Sequence, residues 1–399
     1  MYSRSMARVL DRRAMAALSL GHLAADLSQG ALPAVLVFLK PLLHLSYTKT
    51  AAVVLVGTLT SSVAQPLFGM WSDRRGAVWL TSFGVGLGGV GIAFAGLAPN
   101  YAVLLVLVAL SGLGIGAFHP EAMKAAHGAS GSRRASGMAL FSTGGNLGFS
   151  LGPLIATGAI AGLGLAGGVL LLVPSAVVTG ILISERHHLI SIRLYAPEVR
   201  RGAVRDQRGA FTLLLAVVAL RSVAFYGLFT FIPLWEVHRG HSKSYGNALL
   251  SAVLLAGVAG TLLAGPLADR YGRKRVLLAS LLLSPGLIAA YVVSQGVLGT
   301  TCVCLAGAVV ISTFSVTIVM SQEYLPSRIA LASGLSVGLA IGLGGIAAVI
   351  LGGIADSIDL RTALFATAVG PALAVLPAVW LPRDPSRKPA RVAAATSAP

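Results

Sequence analysis

Charge is what this sequence is short of. Of its 399 residues only 11% are Asp, Glu, Lys or Arg, against roughly 25% in a soluble domain. Acidic residues are the scarcer sign, 13 against 30 Lys and Arg. Cysteine is nearly absent. Cys302 and Cys304 lie inside one apolar run and read as small apolar fillers, not as a disulfide or metal framework. A chain with 56% hydrophobic residues and so little charge cannot cover a water-facing surface. These shortages exclude a cytosolic enzyme, a disordered chain and a secreted disulfide scaffold. They leave an all-α polytopic membrane protein.

What the chain has instead is apolar length. A helix needs about 20 apolar residues to cross a bilayer. Runs at 14–39 and 50–72 make two spans, and the charge-free run 76–118 makes two more, divided at Pro99-Asn100. Residues 135–184 divide at the glycine-rich stretch 162–168. Residues 210–236 and 245–268 make spans seven and eight. Residues 276–322 hold two, with a turn near Ser294-Gln295-Gly296, and 329–355 and 362–382 complete twelve. The first run is too long for a cleaved signal peptide and reads as an uncleaved span. Counted by side, 24 Lys and Arg fall in the termini and the loops after even-numbered spans; five fall on the other side, and Arg221 lies within a span. Basic loops stay in the cytoplasm. Both termini and the 185–209 segment are therefore expected there, in a bacterial inner membrane. The net charge of +17 then reads as orientation charge, not as a nucleic-acid footprint.

The chain repeats itself. GMWSDRRG at 69–76 and GPLADRYGRKR at 265–275 share G-x-x-x-D-R-x-G at an offset of 196 residues. This predicts two six-helix bundles, 1–184 and 210–382, with a basic cytoplasmic linker at 185–209 and a tail at 383–399. Gly69, Asp73, Arg74 and Gly76 form the first copy; Gly265, Asp269, Arg270, Gly272, Arg273 and Lys274 form the second. An Asp that accepts from a helix amino terminus or pairs with Arg, beside a Gly that permits close approach, is expected to latch neighbouring helices in one conformation.

With this doubled motif the chain resembles the major facilitator superfamily. SLGHLAADLSQG at 19–30, GTLTSSVAQPLFG at 57–69, FHPE at 118–121, GGNLGFSLGP at 144–153 and SQEYLPSR at 321–328 are similar to the fosmidomycin-resistance group of drug exporters. The resemblance implies twelve transmembrane helices in two bundles, alternating access, and export driven by inward proton flow. Ala77-Val78 stand where the family's first motif has a basic pair. Gly148-x-x-x-Gly152-Pro153 looks like the fifth-helix motif of proton-driven exporters.

Ionisable groups within spans are costly and usually serve function. His22, Asp26 and Gln29 share one helical stripe near the middle of span one, where a carboxylate can be poised to bind and release a proton. Arg221 lies at a similar depth in span seven and is expected to face Asp26 across a central cavity or to hold an anionic substrate. Asn146, among the span-five glycines, is expected to line that cavity. His119-Pro120-Glu121 is placed at the end of span four as a gate or proton relay. Gln322-Glu323 is placed likewise at the end of span ten, with Glu323 reaching Arg328. No His-Glu-x-x-His cluster or nucleophile–base pair is evident, so neither a metal, a cofactor nor an enzyme is expected. The reading is a secondary transporter, a proton-coupled exporter of small amphipathic or anionic compounds. The alternative is a proton-coupled uptake symporter for organic anions. Its partners are a small-molecule substrate, protons and the bilayer, and two bundles suffice in a monomer.

Overall fold

Apolar runs in a bilayer must satisfy their backbone internally, which leaves helices as the economical solution. The structure, a computed structural model, describes residues 10–75, 77–131, 134–194, 206–326 and 329–382. Its helices are α1 (Arg12–Leu42), α2 (Tyr47–Arg75), α3 (Trp79–Ala95), α4 (Tyr101–Ala129), α5 (Arg134–Leu163), α6 (Leu172–Ser184, preceded by a 3₁₀ turn over Leu165–Leu171) and α7 (Arg186–Leu194). The second half holds α8 (Arg208–His238), α9 (Lys243–Tyr271), α10 (Arg273–Val293), α11 (Gly296–Tyr324), α12 (Ile329–Ser357), α13 (Leu360–Thr367) and α14 (Val369–Trp380). Among the described residues, eleven helical segments are long and apolar enough to cross a membrane. The 17-residue α3 completes the expected twelve. Leu262, Leu376, Trp380 and Val297 are 65–85% exposed, a surface that suits lipid and not water.

The starts are written locally. Asp11, Asn100, Ser242 and Asp359 each accept a hydrogen bond from the backbone N–H three residues on, which satisfies one of the orphan donors of a helix amino terminus. Gly272 has φ +96° and serves as both the last cap of α9 and the first of α10, a turn that a side chain would strain.

Three features differ from the hydropathy reading. α4 runs on to Ala129, so His119-Pro120-Glu121 lies inside the helix and not at its end. Hydropathy falls at His119, but the alanine-rich turns that follow are good helix formers, and Glu121, Ala122, Ala125 and Ala126 are buried. The linker opens with an amphipathic helix, α7, whose Leu189 and Ile192 are buried with the α1 and α4 ends. It is clasped by ion pairs His188–Asp11 (2.9 Å) and Arg13–Glu185 (2.9 Å). Burial raises the Asp11 carboxyl, but the N–H groups of Ala14 and Arg13 and the His188 ring outweigh it and hold Asp11 below the usual carboxylate range. The twelfth span is broken at Ala368 into α13 and α14.

The apolar cores show how the two bundles sit. One core takes residues from both halves: Leu27–Leu45, Val53, Ile92–Leu104, Tyr226–Trp235, Leu249–Leu254 and Leu351–Leu364. All lie toward the helix ends away from the linker. At the linker end there are instead two separate cores. One joins Ala14–Ala25 to Phe118–Ala129, the other Phe211–Val218 to Ala264, Leu277 and Met320. Among the described residues the bundles share one apolar core at the far end and keep separate ones at the linker end. Gly334, Gly338 and Gly342, in the linker-side half of α12, have open space where a Cβ would project.

Candidate substrate and proton site

A glycine seam builds the first half of the site. On α5, Gly144, Gly148 and Gly152 recur every fourth residue and so share one face. A Cβ on each would lie 2.3 Å from Ser19 O, 2.0 Å from Leu23 O and 2.5 Å from Ala31 N of α1. Only glycine lets the two backbones touch along this line. Pro153, next in the seam, has its carbonyl taken by Thr157 Oγ1 at 2.6 Å. The seam brings Phe141 O and Gly145 against the polar stripe of α1.

There, His22 Nε2 stands 3.2 Å from Asp26 Oδ2, and His119 Nε2, from α4, stands 3.3 Å from Asp26 Oδ1. The other ring nitrogens are held by backbone carbonyls, His22 Nδ1 at 2.9 Å from Phe141 O and His119 Nδ1 at 2.8 Å from Ile115 O. Side-chain exposures are 12, 15 and 17% for His22, Asp26 and His119. The rings of His22 and Phe141 stack at 4.2 Å. His119, read from sequence as part of a gate, thus joins the midplane pair. Gln29 is half-buried and makes no hydrogen bond to the cluster among the described residues. Asn146 is also half-buried, with its carbonyl accepting Ser150 Oγ. The three donor atoms lie within 4.8 Å of one another, close enough for a metal ion as well as protons.

Arg221 of α8 is 5% exposed and is not paired with Asp26. Its NH1 donates to Val310 O at 3.2 Å and Thr313 Oγ1 at 3.0 Å on α11, and its guanidinium lies over the Phe314 ring at 5.8 Å. Its Nε has no partner among the described residues. A buried guanidinium held by neutral acceptors keeps its charge for another anion.

The remaining motifs fall at the linker end. Glu121 is fully buried and accepts from Ser72 Oγ, while Lys124 Nζ donates to Ser72 Oγ and Gly69 O. Gly69 packs on Pro120, 3.6 Å from its own Cβ position. The side chains of Asp73 and Arg74, and all of Gly76 and Arg328, lie outside the described residues. Glu323 pairs with Arg273 of α10, a member of the second loop motif, and the expected contact with Arg328 lies outside the described residues. Gln322, beside it, is half-buried. Lys274 Nζ donates to the carbonyls of Val379 and Leu381 at the end of α14, and Arg270 covers the Tyr271 ring. Asp269 is exposed and Gly265 has open space at its Cβ position.

At the far end the structure adds groups that the sequence reading passed over. Asp356 of α12 accepts from the N–H of Tyr47 (2.7 Å) and Thr48 (2.8 Å), capping α2 of the other half. Asn247 Nδ2 donates to Thr157 Oγ1 at 2.8 Å, again across the halves. Glu236, 2% exposed, accepts from Tyr291 Oη at 2.7 Å and meets His241 Nδ1 at 2.8 Å. Asp356 and Glu236 each close an apolar run. Their signal was a lone carboxylate in a chain with few.

Comparison with known proteins follows the geometry. Residues 18–259 and 214–397 match the Major Facilitator Superfamily. The chain is 31% identical over 376 residues to the uncharacterized MFS-type transporter YfnC of Bacillus subtilis (strain 168), covering 91% of each. It is also 31% identical over 379 residues to the fosmidomycin resistance protein of Escherichia coli (strain K12), covering 92% of each. Among solved structures, a mutant of the nucleoside transporter NupG superposes with a TM-score of 0.75 at 13% identity, over 92% of this chain and 99% of that one. A bacterial homolog of the human lysosomal transporter Spinster, inward-facing and occupied, gives 0.73 at 14% identity, over 92% and 95%. Two bundles of six, a doubled loop motif and matches across both halves make this chain a member of the Major Facilitator Superfamily, the family of multi-pass membrane transporters.

Proposed function

We propose that the protein is a proton-coupled exporter of small amphipathic or anionic compounds, fosmidomycin-like antibiotics or organic acids among them. It works by alternating access, as a monomer, in a bacterial inner membrane with both termini in the cytoplasm and without any bond chemistry. The observation that carries this reading is the pairing of two unlike charged sites at one depth: the His22–Asp26–His119 cluster in the first half and Arg221 in the second. Asp26 is 14 residues from the start of α1 and Arg221 is 13 from the start of α8, so each is about 20 Å along its helix. A group that titrates and a group that stays cationic divide the labour of proton and anion. The halves rock around them, with the loop motifs, Glu121 and Glu323 controlling the linker end and Asp356 and Asn247 the far end. Likeness to the fosmidomycin resistance protein supports the outward direction.

One observation favours the reverse direction. Protons on the cluster add positive charge near a second cation, which draws an anion in with the protons and not against them, as a symporter requires. Proteoliposomes enclosing a pH-sensitive dye, given an inward-acid gradient and a panel of organic anions including fosmidomycin, separate the two. Proton efflux coupled to anion entry supports antiport. Proton and anion leaving together supports symport, and no anion-dependent proton flux defeats both.

A further inference from the structure

The ring contacts around Asp26 count protons: each Nδ1 is hydrogen-bonded to a carbonyl, and each Nε2 faces one Asp26 oxygen at ion-pair distance. His22 Nδ1 and His119 Nδ1 each lie within 2.9 Å of a backbone carbonyl, which can only accept, so each Nδ1 carries a hydrogen. Each Nε2 is then either bare or protonated. A bare Nε2 placed 3.2 or 3.3 Å from a carboxylate oxygen sets lone pair against lone pair. Both contacts become favourable only with a proton in each, and they use different oxygens of Asp26, so one proton cannot serve both.

We propose that His22, Asp26 and His119 form a two-proton site whose second proton, at the His119–Asp26 contact, ties α4 to α1. The inference rests on the proton-coupled reading above and gives it a stoichiometry. Loaded, the cluster has two imidazolium rings on a carboxylate, or one imidazolium and a neutral ring on a carboxylic acid, and carries a net charge of +1 either way. Emptied, it carries −1. Losing the His22 proton disturbs a contact within α1, since His22 and Asp26 are four residues apart. Losing the His119 proton removes a strut between two helices that line the centre.

Few other charges bear on the count. Among the described residues, Tyr226 of α8 lies within electrostatic reach of Asp26 from the other half. On α4 the next acid, Glu121, is turned to Ser72 of α2. The described side chains of α3, α5 and α6 include no ionisable group. α5 presents the Phe141 carbonyl and the bare backbone of Gly145, where a Cβ would stand 2.4 Å from His22 Nε2 and 2.6 Å from Asp26 Oδ2. Gly145 therefore acts as a positioning residue for the His22 contact.

The test is a proton inventory on the full-length protein in lipid nanodiscs at about pH 6. Nitrogen-15 NMR reads the histidine rings, assigned with His22→Gln and His119→Gln, and infrared spectroscopy reads the protonated carboxyl, assigned with Asp26→Asn. Two protons at the two contacts are expected, and both rings should become neutral in Asp26→Asn. Gly145→Ala, which removes no titrating group, should strip the proton from His22 alone. One proton or none in the unaltered protein, or ring signals indifferent to Asp26→Asn, overturns the proposal. With the membrane voltage held at zero, two protons balance about a 100-fold substrate gradient per pH unit and one proton about tenfold. A tenfold result sinks the two-proton site and leaves proton coupling standing. Two protons in the spectra with transport indifferent to pH sinks the coupling and leaves the site.

Discussion

The two halves share one architecture and use it for opposite electrostatics. The 196-residue offset carries Asp26 onto Ser222, one place from Arg221. In the first half, spans one and four present an acid between two imidazoles, His22 and His119 on the two oxygens of Asp26. In the second half, spans seven and ten present a guanidinium on Thr313 and a carbonyl, a charge that does not titrate in a protein. Duplication supplied two equivalent positions. The proposed function gives the first the part of a switch and the second the part of a constant charge, and a ligand moves such an equilibrium only by binding two states unequally.

The sharpest way to break this contrast is Asp26→Asn, which keeps the shape and removes the switch. Transport driven by a pH gradient should stop, while exchange of substrate for substrate persists in the same liposomes. Wild-type coupling in that variant would make Asp26 structural. Arg221→Met tests the constant side. Charge-assisted hydrogen bonds to an anion are worth about 1.5–3 kcal/mol, so equilibrium binding of an anionic substrate should weaken about 10- to 100-fold. The proton inventory of the first half should be unchanged; a loss of protons there would show the two sites to be one.

Packing draws a second contrast. Gly148→Ala puts a methyl 2.0 Å from Leu23 O, and forcing such an overlap apart costs about 1–3 kcal/mol. Gly265→Ala meets open space and should leave the thermal midpoint in detergent unmoved. Equal shifts would mean the seam is slack. A smaller effect is expected at the far gate. Asp356→Ala removes the carboxylate from the α2 amino terminus, so a cysteine introduced near Thr157 should react faster with an impermeant thiol reagent added from the far side. An unchanged rate would mean that the apolar seal alone keeps that end shut. Smallest is Asp11→Asn at the α7 clasp. Asp11 is depressed in the folded state, so its stabilisation is present above the unfolded value of about 3.9 and fades as pH falls through the folded one. The variant should therefore be slightly less stable than the parent at neutral pH, and the difference should vanish as pH falls through the acid limb.

Much of this was legible in the chain. Twelve spans follow from apolar run length because a bilayer leaves a backbone few alternatives, and the doubled D-R-x-G motif marks the repeat. Asp26 and Arg221 stood out because charge within a span is rare. His119 was legible as a residue but not as a member of the cluster. Its place depended on α4 continuing through Pro120 for nine further residues to Ala129, and local hydropathy argues against that. Glu323 was legible as a residue, but its ion pair with Arg273 of the adjoining helix is a contact that no local pattern announces.

Sequence alone determined the membrane, the helix count, the repeat and the inventory of charged groups, because each is set by composition or by distances along one chain. Tertiary structure decided which of those groups meet. Asp26 takes two histidines from two helices, and Arg221 takes Thr313 in place of Asp26, because contacts between helices depend on seams such as Gly144–Gly148–Gly152 that fix how closely and in what register two backbones lie. It also decided that, among the described residues, the bundles share a core at the far end and keep separate ones at the linker end. That state is set by the balance between one shared apolar core and two separate ones, a comparison between surfaces that no stretch of sequence contains.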